Sequence, residues 1–351
     1  MLFLFFACTS SNDTFNMEYG RTPDAEPCVP AEPGDYETND TEYYFGPLVF
    51  QMIPESQTFQ TPEDIASLGM NTASLRFNIP FDQHGHIRFP YQRQGLKYED
   101  LDDAICQMGN LVHEFKSKGF TVLLSGEPHY HDKVEWMELH PDWDGDFTSV
   151  TGFDTEEQIE TFISEQGPIM EAMAEMAQKY HVEMVSPISE ADRYFEPEPS
   201  ERFMDLALPY FEDYEGELLW QVFGHELREP DLMDSAFRFD FTQFDKVGLA
   251  LIGCDNPRFE WDFYIEILET WANEDDVPLM ISEIGCVRIP DSIEDALDNF
   301  NYWHEKTKSY SNGLIVLDTP QSSSESQGVK DTWLEDWVVV VATELGFLPE
   351  D

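Results

Sequence analysis

Two glutamates each stand where a short apolar run ends. Glu283 follows the run VPLMIS, and Glu190 follows VEMVSPIS. Runs of this kind are typical of buried parallel strands, and barrels of parallel strands carry their chemistry at the carboxyl ends of the strands. Two carboxylates that face each other can act as proton donor and as nucleophile in glycoside hydrolysis. The two glutamates therefore predict an acid/base pair, provided that the fold brings them together.

The elements that must position them follow a regular alternation of strands and helices. Helical patterns separate the apolar runs; the one at 98–118 has a single apolar stripe and ends at Gly119. The count predicts one (β/α)8 barrel, an α/β fold, over residues 45–351. A doubly wound open sheet is the competing fold, but the first strand lacks the Gly-rich phosphate turn that it requires. The predicted strands are 47–53, 72–79, 120–125, 182–188, 217–223, 247–253, 278–282 and 313–318.

Further polar and aromatic side chains fall at the same end of this predicted barrel. Arg76 and Asn78 are two residues apart on the second strand, so they share a face. A guanidinium beside a carboxylate keeps it ionised, and an amide can bind a sugar hydroxyl. Aromatic rings in the loops could stack on sugar rings, although ordinary packing is the alternative for each. The candidate substrate-binding residues are Tyr130, Trp136, Trp143, Tyr194, Phe195 and His225.

The segments SLRFNIPFD, VLLSGEPH and PLMISEIG resemble clan A of the retaining glycoside hydrolases, and are most similar to the endo-β-mannanase family 113. The resemblance covers roughly residues 46–345. It implies that Glu190 is the acid/base, that Glu283 is the nucleophile and that Arg76 lies beside the nucleophile. It also implies that His129 lies near a sugar subsite. The expected activity is endo-acting hydrolysis of a β-linked, mannan-like poly- or oligosaccharide, without a cofactor.

Three positions depart from the pattern of that clan. Ser189 stands where an asparagine commonly precedes the acid/base, no tyrosine follows the sixth predicted strand, and no tryptophan ends the eighth. An inactive barrel that binds carbohydrate at the cell surface is therefore the alternative function. The pairs His84/His86 and His129/His131 suggest a metal site as an alternative. Their placement after the second and third strands does not fit a metal-ligand pattern. We predict no metal ligands.

The charge balance limits the partners of this chain. It has 71 acidic and 19 basic residues, a formal charge of −52. Nucleic acid is an unfavourable partner, because phosphate contacts need Lys and Arg. So acidic a surface repels itself and is relieved by screening cations. These properties predict adaptation to high salt, with an ordinary acidic secreted protein as the alternative.

The N-terminal part predicts export. Residues 1–8, MLFLFFAC, look like the end of a lipoprotein-type signal, and residues 9–44 are rich in acids, Thr and Pro, which is typical of a disordered linker. We therefore expect an extracellular monomer held at the membrane surface by a lipid on Cys8, against the alternative of a cytoplasmic protein with an apolar terminus. Cys254 and Cys286 follow neighbouring predicted strands, so the sequence leaves open whether they form a disulfide.

Overall fold

A computed structural model describes most of the chain from residue 27 onward. The predicted signal at 1–8, including Cys8, lies outside the described residues. These are 27–36, 42–49, 51–52, 57–58, 61–93, 96–131, 153, 155–195, 197–222, 240–252, 262–286, 290–317 and 329–349.

Eight parallel strands close into one barrel, which confirms the predicted fold class. Each strand pairs with its neighbours in parallel, and the first pairs with the second and the eighth to close the ring. Two short antiparallel hairpins, Gln51–Met52 with Gln57–Thr58 and Tyr91–Arg93 with Leu96–Tyr98, lie in the loops after the first two barrel strands. The barrel strands are β1 (Tyr44–Val49), β2 (Thr72–Phe81), β3 (Thr121–Tyr130), β4 (Met184–Ser186), β5 (Glu217–Val222), β6 (Lys246–Ile252), β7 (Leu279–Gly285) and β8 (Ser311–Val316).

Helices surround the barrel, and local sequence signals set their ends. At the first helix, the Thr61 side chain accepts a hydrogen bond from the Asp64 amide, which caps the helix as the sequence predicts. The region 155–180, expected as one helix, forms two, because Pro168 has no amide hydrogen to continue the first. The described helices are α1 (Pro62–Ser67), α2 (Leu101–Lys116), α3 (Glu156–Ser164), α4 (Gly167–Lys179), α5 (Pro197–Ala207), α6 (Asp262–Asp275), α7 (Ile293–Thr307) and α8 (Glu335–Glu344).

The strand alternation divides the apolar residues into two packed layers. One set fills the inside of the barrel, and a larger set lies between the strands and the helices. Seven of the eight strands supply both sets, because successive side chains point to opposite faces, whereas β2 supplies only the outer set. The inner set includes Leu48, Leu123, Met184, Leu219, Met280 and Ile315.

The segment 27–36, expected to belong to a disordered linker, is attached to the outside of the barrel instead. Cys28 forms a disulfide with Cys106 of α2. The Ala31 amide donates to the Asn110 side chain over 2.7 Å, and the Tyr180 hydroxyl donates to the Ala31 carbonyl over 2.8 Å. A disulfide and hydrogen bonds to its backbone thus hold this segment against the barrel.

Cys286 is also disulfide-bonded. Cys254 lies outside the described residues, so the Cys254–Cys286 pair stays a prediction. No helix in the described part of the chain combines the length and apolarity needed to cross a membrane.

Candidate active site

Arg76 lies inside the carboxyl end of the barrel and binds Glu283 directly. The alternation of β2 directs Arg76 inward, where only 4% of the residue is exposed. Its Nη2 donates to Glu283 Oε2 over 2.7 Å, and its Nη1 donates to Gln221 Oε1 over 3.3 Å. Two hydrogen bonds from one planar guanidinium fix its orientation, so Arg76 holds Glu283 in one position. The predicted pairing of these two residues is therefore present.

Glu283 points inward because of an irregularity in β7. Ile281 pairs with Leu249, and Glu283 pairs with the next residue, Ala250, so Ser282 is an extra residue in the strand. A bulge of this kind shifts the phase of the side chains by one. Without it, Met280 and Ser282 would face the interior and Glu283 would face the helices. The bulge thus turns a buried carboxylate towards Arg76.

Glu190 lies four residues after β4 in a left-handed backbone conformation, with φ 51° and ψ 51°. This conformation costs of order 1–3 kcal/mol for a residue other than glycine, and such strain is concentrated at functional sites. The Ser189 amide donates to the Gly126 carbonyl over 2.6 Å. A Cβ at Gly126 would lie 2.4 Å from the Pro187 carbonyl oxygen, so glycine permits the approach of β3 that fixes this loop.

Glu190 lies near enough to Glu283 and Arg76 for its charge to act on both. Burial raises the pKa of Glu283, the charge of Glu190 raises it further, and Arg76 opposes both. Burial lowers the pKa of Arg76, but the carboxylates of Glu283, Glu127 and Glu190 outweigh it and leave that pKa raised. Two carboxylates that repel each other in a dry site share a proton. The net effect raises the pKa of Glu283 to about 8.

A third acid, Glu127, belongs to the same group and was not predicted from the sequence. Glu127 Oε2 lies 3.9 Å from Arg76 Nε, and its Oε1 lies 3.4 Å from His129 Nε2. Both Glu127 and His129 are on β3, two residues apart, so they face the same side. That spacing is the signal that could have identified Glu127, had β3 been predicted to its full length.

His129 and Asn78 form part of one wall of the site. His129 is 6% exposed, and its ring lies against Tyr91 with 6.5 Å between the ring centres. Asn78 is half-buried and hydrogen-bonds to the phenol of Tyr98, a fully buried residue. Tyr91 and Tyr98 pair across the second hairpin. The hairpin therefore supports both polar residues at the edge of the barrel.

The aromatic residues expected to bind substrate have other positions. Tyr130 is 7% exposed and packs edge-on against Phe81, with ring centres 5.7 Å apart in the layer between strands and helices. The alternation of β3 places it on the face opposite His129. Tyr194 and Phe195 are also buried in that layer. The structure thus gives all three a packing role. Trp136, Trp143 and His225 lie outside the described residues.

The histidine pairs do not form a metal centre in the described part of the chain. His86 Nδ1 is 2.8 Å from Glu165 Oε1, at a distance typical of a hydrogen bond. The acids at the barrel mouth do not form a described set of three ligand atoms within 4.8 Å of one another; one such set occurs elsewhere, on α7 and α8.

Solved structures with the same barrel include several enzymes that act on mannans. A GH113 β-mannanase, AaManA from Alicyclobacillus acidocaldarius, is 17% identical and has a TM-score of 0.61, covering 87% of this chain and 99% of that one. An endo-1,4-β-D-mannanase from Thermotoga petrophila is 10% identical and has a TM-score of 0.56, covering 86% and 99%. A β-glucosidase from Pyrococcus furiosus is 13% identical and has a TM-score of 0.51, covering 88% and 96%. No protein-family model and no curated protein matches the chain. At these identities the likeness establishes the fold.

Proposed function

We propose that the protein is a retaining glycoside hydrolase that cleaves a β-linked, mannan-like poly- or oligosaccharide within the chain. The observation that carries the proposal is the buried group of Glu283, Glu190 and Arg76. Arg76 donates a hydrogen bond to Glu283 over 2.7 Å, and the charge of Glu190 raises the pKa of Glu283. The shared barrel with mannan-acting enzymes supports the choice of substrate.

In the first step, Glu283 attacks the anomeric carbon of the sugar. A bond forms between a carboxylate oxygen and that carbon, while the bond to the glycosidic oxygen breaks. Glu190 gives its proton to the departing oxygen, which leaves as a hydroxyl group. Arg76 lowers the pKa of Glu283 and so favours the ionised form that attacks. It also fixes the direction of attack, because its guanidinium occupies one carboxylate oxygen and leaves the other for the carbon.

In the second step, water releases the sugar from Glu283. Glu190 now carries a negative charge. It removes a proton from the water while the water oxygen attacks the anomeric carbon. The bond to Glu283 breaks, and both residues return to their starting forms. Two displacements at one carbon leave the product with the configuration of the substrate.

The test compares Glu283→Gln and Glu190→Gln with the wild type on mannan oligomers and on an activated aryl β-mannoside. We expect Glu283→Gln to lower kcat by about 10⁴-fold or more on both substrates. Glu190→Gln should lower kcat by about 10²–10⁴-fold on the oligomers and less on the aryl glycoside, whose leaving group needs little protonation. The matched control is Glu171→Gln on the exposed face of α4, which should leave activity unchanged.

Two outcomes would decide against the proposal. Wild-type activity in both active-site variants would show that the carboxylates do not carry the reaction. Inversion of the product, detected by NMR of the first anomer released, would remove the covalent step. Substrates with galactan, glucan and xylan backbones, tested at several salt concentrations, identify the preferred sugar.

The alternative is an inactive barrel that binds carbohydrate. The sequence departures favour it: Ser189 precedes the acid/base, and the aromatic residues common in the clan are absent from the sixth and eighth strands. This alternative predicts saturable oligosaccharide binding by calorimetry without turnover of the same oligomer. The variant Glu283→Gln would then bind the oligosaccharide like the wild type, and neither protein would turn it over.

We further propose that the protein is exported and anchored by a lipid on Cys8. The Cys28–Cys106 bond and the bonded state of Cys286 support an oxidising compartment, because disulfides persist mainly in exported proteins. Mass spectrometry of the purified native protein tests the anchor. A terminal peptide with an unmodified Cys8 would contradict it.

A further inference from the structure

A cluster of three potential metal ligands joins the last two helices, away from the acids of the barrel mouth. His304 and Glu305 lie near the end of α7, and Glu344 is the last residue of α8. One ring nitrogen and one oxygen from each carboxylate all lie within 4.8 Å of one another. Imidazole and carboxylate oxygens together suit zinc and related first-row divalent cations.

His304 is the observation that distinguishes this cluster from other acidic surface groups. The residue is only 4% exposed, yet neither ring nitrogen has a hydrogen-bond partner within the described structure. Its nearest carboxylate atom, Glu344 Oε2, is 3.6 Å from Nε2, which is too long for a hydrogen bond. An exposed pair shows the contrast: His86 Nδ1 and Glu165 Oε1 are 2.8 Å apart.

The spacing matches two ligands of one metal ion. With zinc–ligand bonds of about 2.0–2.1 Å and tetrahedral angles, neighbouring ligand atoms are roughly 3.4 Å apart. The gap between His304 Nε2 and Glu344 Oε2 is close to that value. An unpartnered buried polar group is costly, and a cation between the two side chains would remove that cost.

We propose that His304, Glu344 and Glu305 bind a divalent cation of the zinc type, which links α7 to α8. Water completes the coordination, since the protein supplies three ligands. The excess of acidic residues in the chain draws cations to the surface.

Lys308 competes for one of the ligands. Its Nζ lies 2.5 Å from Glu305 Oε1, so Glu305 must leave this ion pair to reach the metal. Removal of the lysine charge should therefore tighten binding. The variant Lys308→Met tests this directly, because an ordinary surface carboxylate site at a distance from Lys308 would not respond.

The experiment titrates the full chain with zinc chloride by calorimetry, in high KCl and excess Mg²⁺ to suppress loose binding to surface acids. We expect one saturable site, with affinity about tenfold lower or more in His304→Gln and Glu344→Gln and higher in Lys308→Met. Glu165→Gln at the exposed His86 pair is the matched control and should bind like the wild type. Zinc should also raise the wild-type Tm and not that of Glu344→Gln.

Three results would overturn the proposal: no saturable binding, equal binding in Glu344→Gln, or displacement of zinc by Mg²⁺. Because Glu344 is half-exposed, its replacement does not threaten folding, and it decides the question if His304→Gln fails to fold. Activity is not the readout, so the outcome is independent of the proposed hydrolase function.

Discussion

Replacement of Arg76 by methionine should destabilise the protein strongly at neutral pH. The change keeps most of the side-chain length but removes the charge shared by Glu283, Glu127 and Glu190. The Arg76 and Glu283 side chains are 3% and 7% exposed, so water screens their interaction little. Loss of one partner of such a buried pair costs about 3–5 kcal/mol. For a domain of this size, that corresponds to a fall in Tm on the order of 10 °C.

The size of this effect should depend on pH. Burial and Glu190 already raise the pKa of Glu283, and loss of Arg76 removes the opposing effect. A carboxyl group whose pKa is higher in the folded state stabilises the fold below its unfolded value, about 4.3, and loses that contribution as the pH rises. In the wild type that pKa is about 8, so the variant should fall further below the wild type as the pH rises through this value. Near pH 4 the difference should shrink, since Glu283 is protonated and the wild type then buries Arg76 with fewer charged partners.

Thermal unfolding followed by circular dichroism from about pH 4 to about pH 10 measures this dependence. Arg202→Met is the matched control, because the ion pair of Arg202 with Glu160 is 36% and 48% exposed. Its loss should cost no more than about 1 kcal/mol. A difference between wild type and Arg76→Met that stays constant with pH, or that is no larger than in the control, would refute the electrostatic account of the site.

Four other predictions concern Glu127, the disulfide, Gly126 and salt. Glu127→Gln should move the acid limb of the pH–rate profile to lower pH, because the Glu127 charge raises the pKa of Glu283; an unmoved limb would contradict this. Replacement of Cys28 and Cys106 by serine should lower stability to urea by up to about 4 kcal/mol, as expected for a closed loop of 78 residues, without loss of activity. Gly126→Ala should lower kcat at temperatures well below the Tm of the variant, since it displaces the loop that carries Glu190. A loss of activity that only follows the loss of folded protein would indicate general damage. Molar KCl should raise Tm, given the charge of −52, and a midpoint that does not change with salt would count against adaptation to high salt.

The barrel could be predicted because its apolar runs carry their own signal. Each of the eight predicted runs overlaps one observed strand, and the helices between them give the parallel order. The sequence did not predict where each strand ends. The predicted third strand ends at 125, but β3 continues to Tyr130. The continued alternation places Glu127 and His129 inside the barrel and Tyr130 outside it, which explains the missed acid and the packed position of Tyr130.

The two acids were predicted from regular strand geometry, but the structure positions them in a different way. Both were placed at regular strand ends, yet each reaches the site through a local departure from regular geometry. Glu283 needs the extra residue Ser282 to turn inward, and Glu190 needs a left-handed backbone and the close approach at Gly126. Neither departure has a sequence signal, because a bulge and a strained residue are fixed by neighbouring strands. Apolar periodicity therefore locates the end of the barrel where chemistry occurs, while contacts between strands decide which side chains face it.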